Sequence, residues 1–184
     1  RAKLEPVELL NIDIPMKSIL TLNEIKGAVL APGLSAGARE QIAQSGDVSA
    51  TAVFKDSQYR IKIRGKGQGN DHWVTERPSY RLAVKSNAPI LGMMRFALMD
   101  PKRRGYLHEW VVREAFRREG IISKRMEFVS LAINNLTQGI YAVDQHFDSH
   151  LAEQNKRPDS VFVFFKNDYA NNSFVNDDQL VITT

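Results

Sequence analysis

The chain has 184 residues, a formal net charge of +4 and a hydrophobic fraction of 43%. This length predicts about one domain, and this hydrophobic fraction is enough for a packed core, so wholesale disorder is excluded. Cysteine is absent, which excludes thiolate metal sites, a cysteine nucleophile and disulfides. The sequence has neither a long apolar run nor a run of five Lys/Arg, which argues against a membrane-spanning helix and against a nucleic-acid binder.

The first 57 residues carry weak patterns. They predict a short strand over 7–14, a short helix over 16–25 and a helical piece over 36–44. Residues 49–54 alternate between apolar and polar, and we expect the turn at 55–58 to join them to the next strand as a hairpin. We therefore assign residues 1–48 to an N-terminal extension, with the principal domain beginning after it.

A strand followed by a glycine-rich loop opens the segment with the clearest pattern. Alternating Tyr59, Ile61 and Ile63 predict the strand, and residues 65–70 read Gly-Lys-Gly-Gln-Gly-Asn. Glycine lets backbone amides approach phosphate oxygens. Because this loop joins two strands, a Rossmann or Walker site is disfavoured and a kinase-type glycine loop is favoured. A flexible hairpin connection stays open as the alternative, since the spacing is G-x-G-x-G.

The remaining elements follow in the order of a protein-kinase small lobe. Strands are predicted over 79–84, from about 94 to 99, over 128–133 and over 139–143, with a helix over 106–119 and a hairpin turn at Asn134-Asn135. Apolar residues extend around the helix, so we expect it to be packed on two sides. Beyond it, the patterns predict a helix over 148–155, a strand over 161–165 and a loop over 166–178.

Arg95 and Glu109 are the candidate catalytic pair. A kinase small lobe orients a basic strand residue toward phosphate with a helix Glu, and these two residues have that layout. The alternative is an ordinary i,i+4 bridge between Glu109 and Arg113, with Arg95 reaching from a strand edge to solvent. Of the four histidines, only His146 and His150 have metal-ligand spacing, and they lack a third ligand.

Several segments together resemble the CotH (spore coat protein H) kinase-like family over roughly residues 50–165. They are Tyr59-Arg-Ile-Lys-Ile-Arg-Gly65, Ser79-Tyr-Arg-Leu, Leu107-His-Glu, Arg118-Glu-Gly120, Phe128 to Asn134 and Gly139-Ile-Tyr141. The resemblance implies an α+β fold, a kinase-like small lobe whose twisted, mainly antiparallel sheet packs on one main helix. It places this lobe at residues 49–165 and the start of a connection to a missing large lobe at 166–184.

The resemblance also implies a function. The family uses ATP with a divalent metal such as Mg²⁺, whose ligands would lie outside this chain, to transfer the gamma-phosphate to Ser or Thr of an envelope or coat protein. We therefore expect a bacterial, extracytoplasmic fragment that is not catalytic on its own and acts on a protein. The catalytic residues would be Arg95 and Glu109. The nucleotide-binding residues would be Arg64, Gly65, Lys66, Gly67, Gly69, Lys85 and Gln145.

Two other functions stay open. The first is a non-catalytic cell-envelope interaction module on a degenerate kinase-like scaffold, because His108 and Gln145 depart from residues that many relatives carry. The second is a basic nucleic-acid binder, which predicts a steep salt dependence of binding to random DNA.

Overall fold

The computed structural model describes residues 6–66, 73, 75–157, 162–166 and 179–183. The chain divides into two compact units, Arg1–Gln145 and His146–Thr184. The first unit contains the strands β1 Leu9–Asp13, β2 Val48–Phe54, β3 Ser57–Gly65, β4 Tyr80–Val84, β5 Arg95–Met99, β6 Met126–Ile133 and β7 Leu136–Gln145. Its helices are α1 Met16–Val29, α2 Ala36–Gln44, a 3-10 helix Pro101–Arg104 and α3 His108–Arg118.

The strands of the first unit form a closed barrel in the order β1-β2-β3-β4-β5-β7-β6. All neighbouring pairs are antiparallel except β1 and β6, which pair in parallel with Leu9 opposite Ser130 and Ile12 opposite Ile133. Closure leaves these seven strands without a free edge. The N-terminal segment that we expected to be an extension thus supplies the strand that completes the barrel.

Alternating side chains fill the interior of the barrel. Because successive residues of a strand point to opposite faces, one apolar set from each strand points inward. The largest fully buried members of this core include Leu10, Ile12, Ile61, Ile63, Leu82, Phe96, Leu98, Leu131 and Tyr141. Burying each Leu, Ile or Phe side chain contributes roughly 1.5–3 kcal/mol. The outward residues of the same strands are therefore the ones available for a functional site.

The predicted hairpin turn at Asn134-Asn135 is confirmed, and it also anchors β1. Asn134 and Asn135 have φ values of 49° and 64°, the left-handed conformations that a two-residue turn of this kind requires. The Asn134 side chain accepts a hydrogen bond from the Ile14 amide at 2.7 Å and donates one to the Ile14 carbonyl at 3.1 Å. Asn134 therefore forms the β6–β7 turn with its backbone and fixes the end of β1 with its side chain.

A second, smaller core lies where α1 and α2 meet Trp73. Its buried members are Val29, Ala43 and Trp73. The Trp73 ring lies directly on Gly65 at the end of β3, so that a Cβ atom at this glycine would fall 2.1 Å from a ring carbon. Gly65 is therefore required by this close packing, which is a different reason from the phosphate approach that its place in a glycine-rich loop suggested.

Helix α3 lies at the predicted position, but it is not packed on two sides. Arg113 is its one buried residue, whereas Val111, Val112 and Phe116 are 55%, 50% and 45% exposed. The predicted α+β kinase-like small lobe, with its sheet packed on one main helix, is therefore wrong. The fold of the first unit is a closed, mixed barrel of seven strands. Alternation in the sequence identifies strands but not their partners, and the β1–β6 pairing joins segments far apart in the chain.

The second unit contains helix α4, Ser149–Gln154, and the antiparallel pair β8 Phe162–Lys166 and β9 Gln179–Thr183. Asp148 caps α4, because its carboxylate accepts a hydrogen bond from the Leu151 amide at 3.1 Å. Within the described residues of the whole chain, no helix is both long and apolar enough to cross a membrane.

We predict that Gly65→Ala lowers the free energy of unfolding by about 1–3 kcal/mol, because the new methyl group would overlap the buried Trp73 ring. The matched control is Gly27→Ala in α1, where an added Cβ meets nothing within 4 Å. That change should stabilise the protein by roughly 0.5–1 kcal/mol through helix propensity. Urea unfolding followed by far-UV circular dichroism measures both. Equal stability of the two variants would contradict the close packing.

Candidate functional site

A row of outward-facing residues crosses four neighbouring strands of the barrel. Arg64 of β3 lies opposite Arg81 of β4. Arg81 lies opposite Ala97 of β5, and Ala97 lies opposite Asp144 of β7. Directly opposed residues point to the same face of a sheet, and the neighbours of these residues, such as Ile63 and Leu82, fill the interior. The row therefore places two arginines and one carboxylate on the outside of the barrel.

Asp144 is the centre of the charged side chains on this face. Its side chain is only 5% exposed, and its carboxylate accepts hydrogen bonds from Arg113 at 2.7 Å, Lys124 at 3.0 Å and Arg104 at 3.3 Å. These cations come from α3, from the segment before β6 and from the 3-10 helix. One buried carboxylate thus joins three separate segments to β7.

Glu109 is the second acid of this network. Its carboxylate accepts a hydrogen bond from Arg113 one helical turn later, and Arg104 lies 3.2 Å away. Arg113 also donates to the Arg125 carbonyl at 3.4 Å. Helix α3 is therefore attached to the barrel through these ion pairs and hydrogen bonds, which explains why Arg113 is its buried residue while its apolar side chains remain exposed.

The pKa shifts in this network follow from an excess of positive charge. Burial alone would raise the pKa of Asp144, but Lys124 and Arg113 lower it below its ordinary value. Burial lowers the pKa of Lys124, and the attraction of Asp144 only partly opposes that effect because Arg113 and Arg104 repel the ammonium. The carboxylate is therefore held ionised, while the cations around it compete for one partner.

Lys66 immediately follows β3 and belongs to the same surroundings. Its Nζ atom lies 3.3 Å from the Sδ atom of Met99, which also lies 3.6 Å from the Arg104 guanidinium. Burial lowers the pKa of Lys66 to about 8. Asp144 opposes this shift, and Arg104, Arg81 and Lys124 add to it.

We name these cations together the cationic cluster. Its members are Arg64, Lys66, Arg81, Arg95, Arg104, Arg113 and Lys124. The carboxylates that act on them are Asp144, Glu109, Asp47 and Glu40, the last through its effect on Arg81. Among these residues, positive charge exceeds negative charge. Guanidinium and ammonium groups in surplus bind phosphate-type anions. The fold and the site together define a closed mixed barrel whose outer face carries a surplus of positive charge.

The predicted pairing of Arg95 with Glu109 is replaced by the alternative that the sequence left open. The described ion pairs of Glu109 are with Arg113 and Arg104. Arg95 lies exposed at the start of β5, and its charge lowers the pKa of Arg81, after the larger effects of burial and of Arg64. The physical reason is the i,i+4 spacing on α3, which brings Arg113 within reach of Glu109 without any help from the sheet.

The residues predicted to bind nucleotide are distributed over several places. Arg64 and Lys66 belong to the cationic cluster, whereas Gly65 is covered by Trp73. Lys85 is exposed and lines a groove with Arg60 and Lys62. Gln145 is buried, and its side-chain oxygen accepts a hydrogen bond from the Arg125 amide at 2.9 Å. Gly67 and Gly69 lie outside the described residues.

Sequence reasoning missed Arg81, Arg104 and Lys124, and it missed the role of Asp144 as a buried ion-pair partner. A signal for Asp144 was present, because it is a charged residue at the end of the apolar run Tyr141-Ala-Val. A carboxylate in such a run must be paired if it is buried. Nothing in the sequence indicated which cations would reach it, because they come from three segments that only the barrel brings together. Within the described residues, no group of three His, Asp or Glu could hold a metal ion.

The family model described as Acetyltransferase (GNAT) family matches residues 47–131, which is less than half of the chain. This segment runs from β2 into β6 and contains every member of the cationic cluster. No curated protein matches the sequence.

The match corrects the interpretation drawn from the sequence. It contradicts the resemblance to the CotH kinase-like family, and with it the assignment as an ATP- and Mg²⁺-dependent kinase of an envelope or coat protein. GNAT enzymes use acetyl-CoA and act on small-molecule or protein substrates. The alternative of a non-catalytic interaction module gains no support either. The order of strand, glycine-rich loop and strand is shared by folds with unrelated chemistry, so it did not specify a phosphoryl-transfer site.

We predict that Asp144→Asn lowers the free energy of unfolding by about 3–5 kcal/mol at pH 7, since three cations would lose their buried partner. The control is Glu114→Gln, which breaks the more exposed pair with Arg117 and should cost at most about 1 kcal/mol. Chemical denaturation at fixed pH measures the difference. Similar costs for both variants would refute the central place of Asp144.

The effect of Asp144→Asn should also depend on pH. The pKa of Asp144 is lower in the folded protein than in the unfolded chain, so its stabilising effect is complete above the unfolded value of about 4. It is lost as the pH falls through the lower folded value. We therefore expect the stability gap between wild type and Asp144→Asn to narrow progressively below about pH 4, in a titration of unfolding midpoints. A gap that widens in acid would contradict this sign.

Proposed function

We propose that this chain binds an acyl thioester of the coenzyme A class on the cationic cluster and transfers the acyl group to an amine. The observation that carries the proposal is the match of residues 47–131 to the acetyltransferase family model. The cationic cluster supports it independently, because a coenzyme A thioester carries a pyrophosphate and a further phosphate that need cationic partners.

The cations of the cluster that lie on β3, β4 and β5 are suited to these phosphates. Arg64 and Arg81 lie directly opposite each other on β3 and β4, and like charges in that position repel. Arg95 adds a third guanidinium on β5. Asp47 is the described carboxylate paired with Arg64, at 3.6 Å. A phosphate bound between these guanidinium groups would accept charge-assisted hydrogen bonds from them and offset their mutual repulsion.

Acyl transfer places two demands on such a site. The attacking amine must be neutral, and the oxygen of the thioester carbonyl becomes negative as the amine adds to it. Positive groups fixed before the reaction begins stabilise that developing charge at little cost in reorganisation. We propose that Arg104 and Lys124, held in place by Asp144, supply this positive potential.

We further propose that the acceptor is an amine of a protein. The cluster lies on the outer face of a barrel whose interior is filled by side chains, so an acceptor reaches it from outside. Small-molecule amines are the competing class, and a comparison of the two classes as acceptors tests this choice. The expected location in the bacterial cell envelope stays a prediction.

We predict that the full chain binds acetyl-CoA, and that Arg81→Ala and Arg95→Ala each weaken binding about tenfold or more. Loss of a charge-assisted hydrogen bond to phosphate costs roughly 1.5–3 kcal/mol, and 1.4 kcal/mol corresponds to a factor of ten. Arg60→Ala is the matched control, because this arginine lies on β3 as Arg64 does but is not a member of the cluster.

Isothermal titration calorimetry at two salt concentrations measures these affinities, and release of free thiol in the presence of amines measures turnover. Binding should weaken as salt increases, because phosphate contacts are screened. Absence of acetyl-CoA binding by the wild-type chain would refute the proposal. If Arg60→Ala loses as much affinity as the cluster variants, the cationic cluster is not the binding site for acetyl-CoA.

A further inference from the structure

We propose that the Nζ atom of Lys66 is itself acylated by a thioester bound on the cationic cluster, so that Lys66 is a self-modification site. The inference rests on the proposed function for its donor. It assigns Lys66 a different role from the other cations of the cluster, namely nucleophile.

The contacts of Lys66 differ from those of the cations that form ion pairs. The Nζ atom of Lys66 donates a hydrogen bond to the uncharged Sδ atom of Met99, at 3.3 Å. Among the described residues, no ion pair within 4.0 Å includes Lys66. The buried carboxylate that attracts it, Asp144, is already bound by Arg104, Arg113 and Lys124. Within the part of the chain that the structure describes, the ammonium of Lys66 is thus half-buried with no carboxylate within ion-pair distance.

The groups that face Lys66 come from several elements. They are Met99 on β5, Arg81 on β4, Arg104 on the 3-10 helix, Lys124 before β6 and Asp144 on β7. Burial is the largest influence, and it places the pKa of this lysine at about 8. About a tenth of its side chains are therefore neutral at pH 7, against less than about a thousandth for an ordinary exposed lysine.

The reaction balances without a further reactant. The lone pair of neutral Nζ attacks the carbonyl carbon of the thioester and forms the C–N bond. The C–S bond then breaks, and the sulfur leaves as a thiolate. The proton lost from nitrogen passes to the thiolate, which yields a free thiol and an acyl-lysine. This amide is stable, so the product is a modification and not an intermediate of turnover.

Acylation would also change the site that performs it. The amide is uncharged, so the cationic cluster would lose one positive charge and with it part of its attraction for the phosphates of the donor. Self-acylation of Lys66 would therefore limit further binding of the same donor.

The test is incubation of the purified full chain with acetyl-CoA, followed by intact-mass measurement and peptide mapping over time. We expect Lys66 to be acetylated at least tenfold faster than the exposed Lys85. The rate at Lys66 should level off above about pH 8, because its ammonium is deprotonated there. Lys66→Arg should remove the rapid modification, and Lys85→Arg should leave it unchanged. Equal rates at the two lysines would overturn the inference.

A second donor separates this inference from the proposed function. A short acetyl thioester without phosphates reports the reactivity of Lys66 alone, and Arg81→Ala should shift its pH profile upward because one repelling cation is removed. If acetyl-CoA binds but Lys66 is not modified faster than Lys85, the inference fails and the proposed function survives. If acetyl-CoA does not bind, the proposed function fails. The inference about Lys66 then fails too, because it requires a thioester donor bound on the cationic cluster.

Discussion

The buried carboxylate of Asp144 is the constraint on which the cationic cluster of this protein depends. It lies on β7, between β5 and β6, and is bound by Arg104, Arg113 and Lys124. Like charges brought together in a half-buried environment repel strongly, and one ionised carboxylate among them makes the arrangement possible. Helix α3 and the 3-10 helix are held to the barrel by the same contacts, so fold and site share a single electrostatic centre.

The position of the cationic cluster follows from how the barrel is filled. Large apolar side chains occupy the interior, which leaves the outward residues of β3, β4, β5 and β7 to carry charge. Their register then brings Arg64, Arg81 and Asp144 into one row. Negative charge balances positive charge unevenly along this row, because the Asp144 carboxylate lies at one end and the two arginines lie at the other. At the arginine end, Asp47 pairs with Arg64 and Glu40 acts on Arg81, so this end is less fully compensated than the end at Asp144.

Local patterns predicted the elements of this fold well but not their arrangement. Alternation identified the strands around Tyr59, Tyr80 and Phe128, and Asn134-Asn135 identified a hairpin turn, because these features depend on nearby residues. The parallel pairing of β1 with β6 joins residues far apart in the chain, so no local sequence pattern predicted it. The apolar residues of α3 predicted packing on two sides, whereas Arg113 is the residue that contacts the barrel. Arg64 and Lys66 were predicted as nucleotide-binding residues, and both belong to the cationic cluster. The ion-pair centre at Asp144 was not predicted.

The closing pair of strands has a consequence for how the protein is made. Strand β1 leaves the ribosome well before its parallel neighbour β6 and the Asn134 side chain that binds Ile14, which emerge more than a hundred residues later. Until then β1 can pair only with β2, and its other edge is exposed to any strand nearby. Closure of the barrel must therefore wait until most of the first unit has been synthesised.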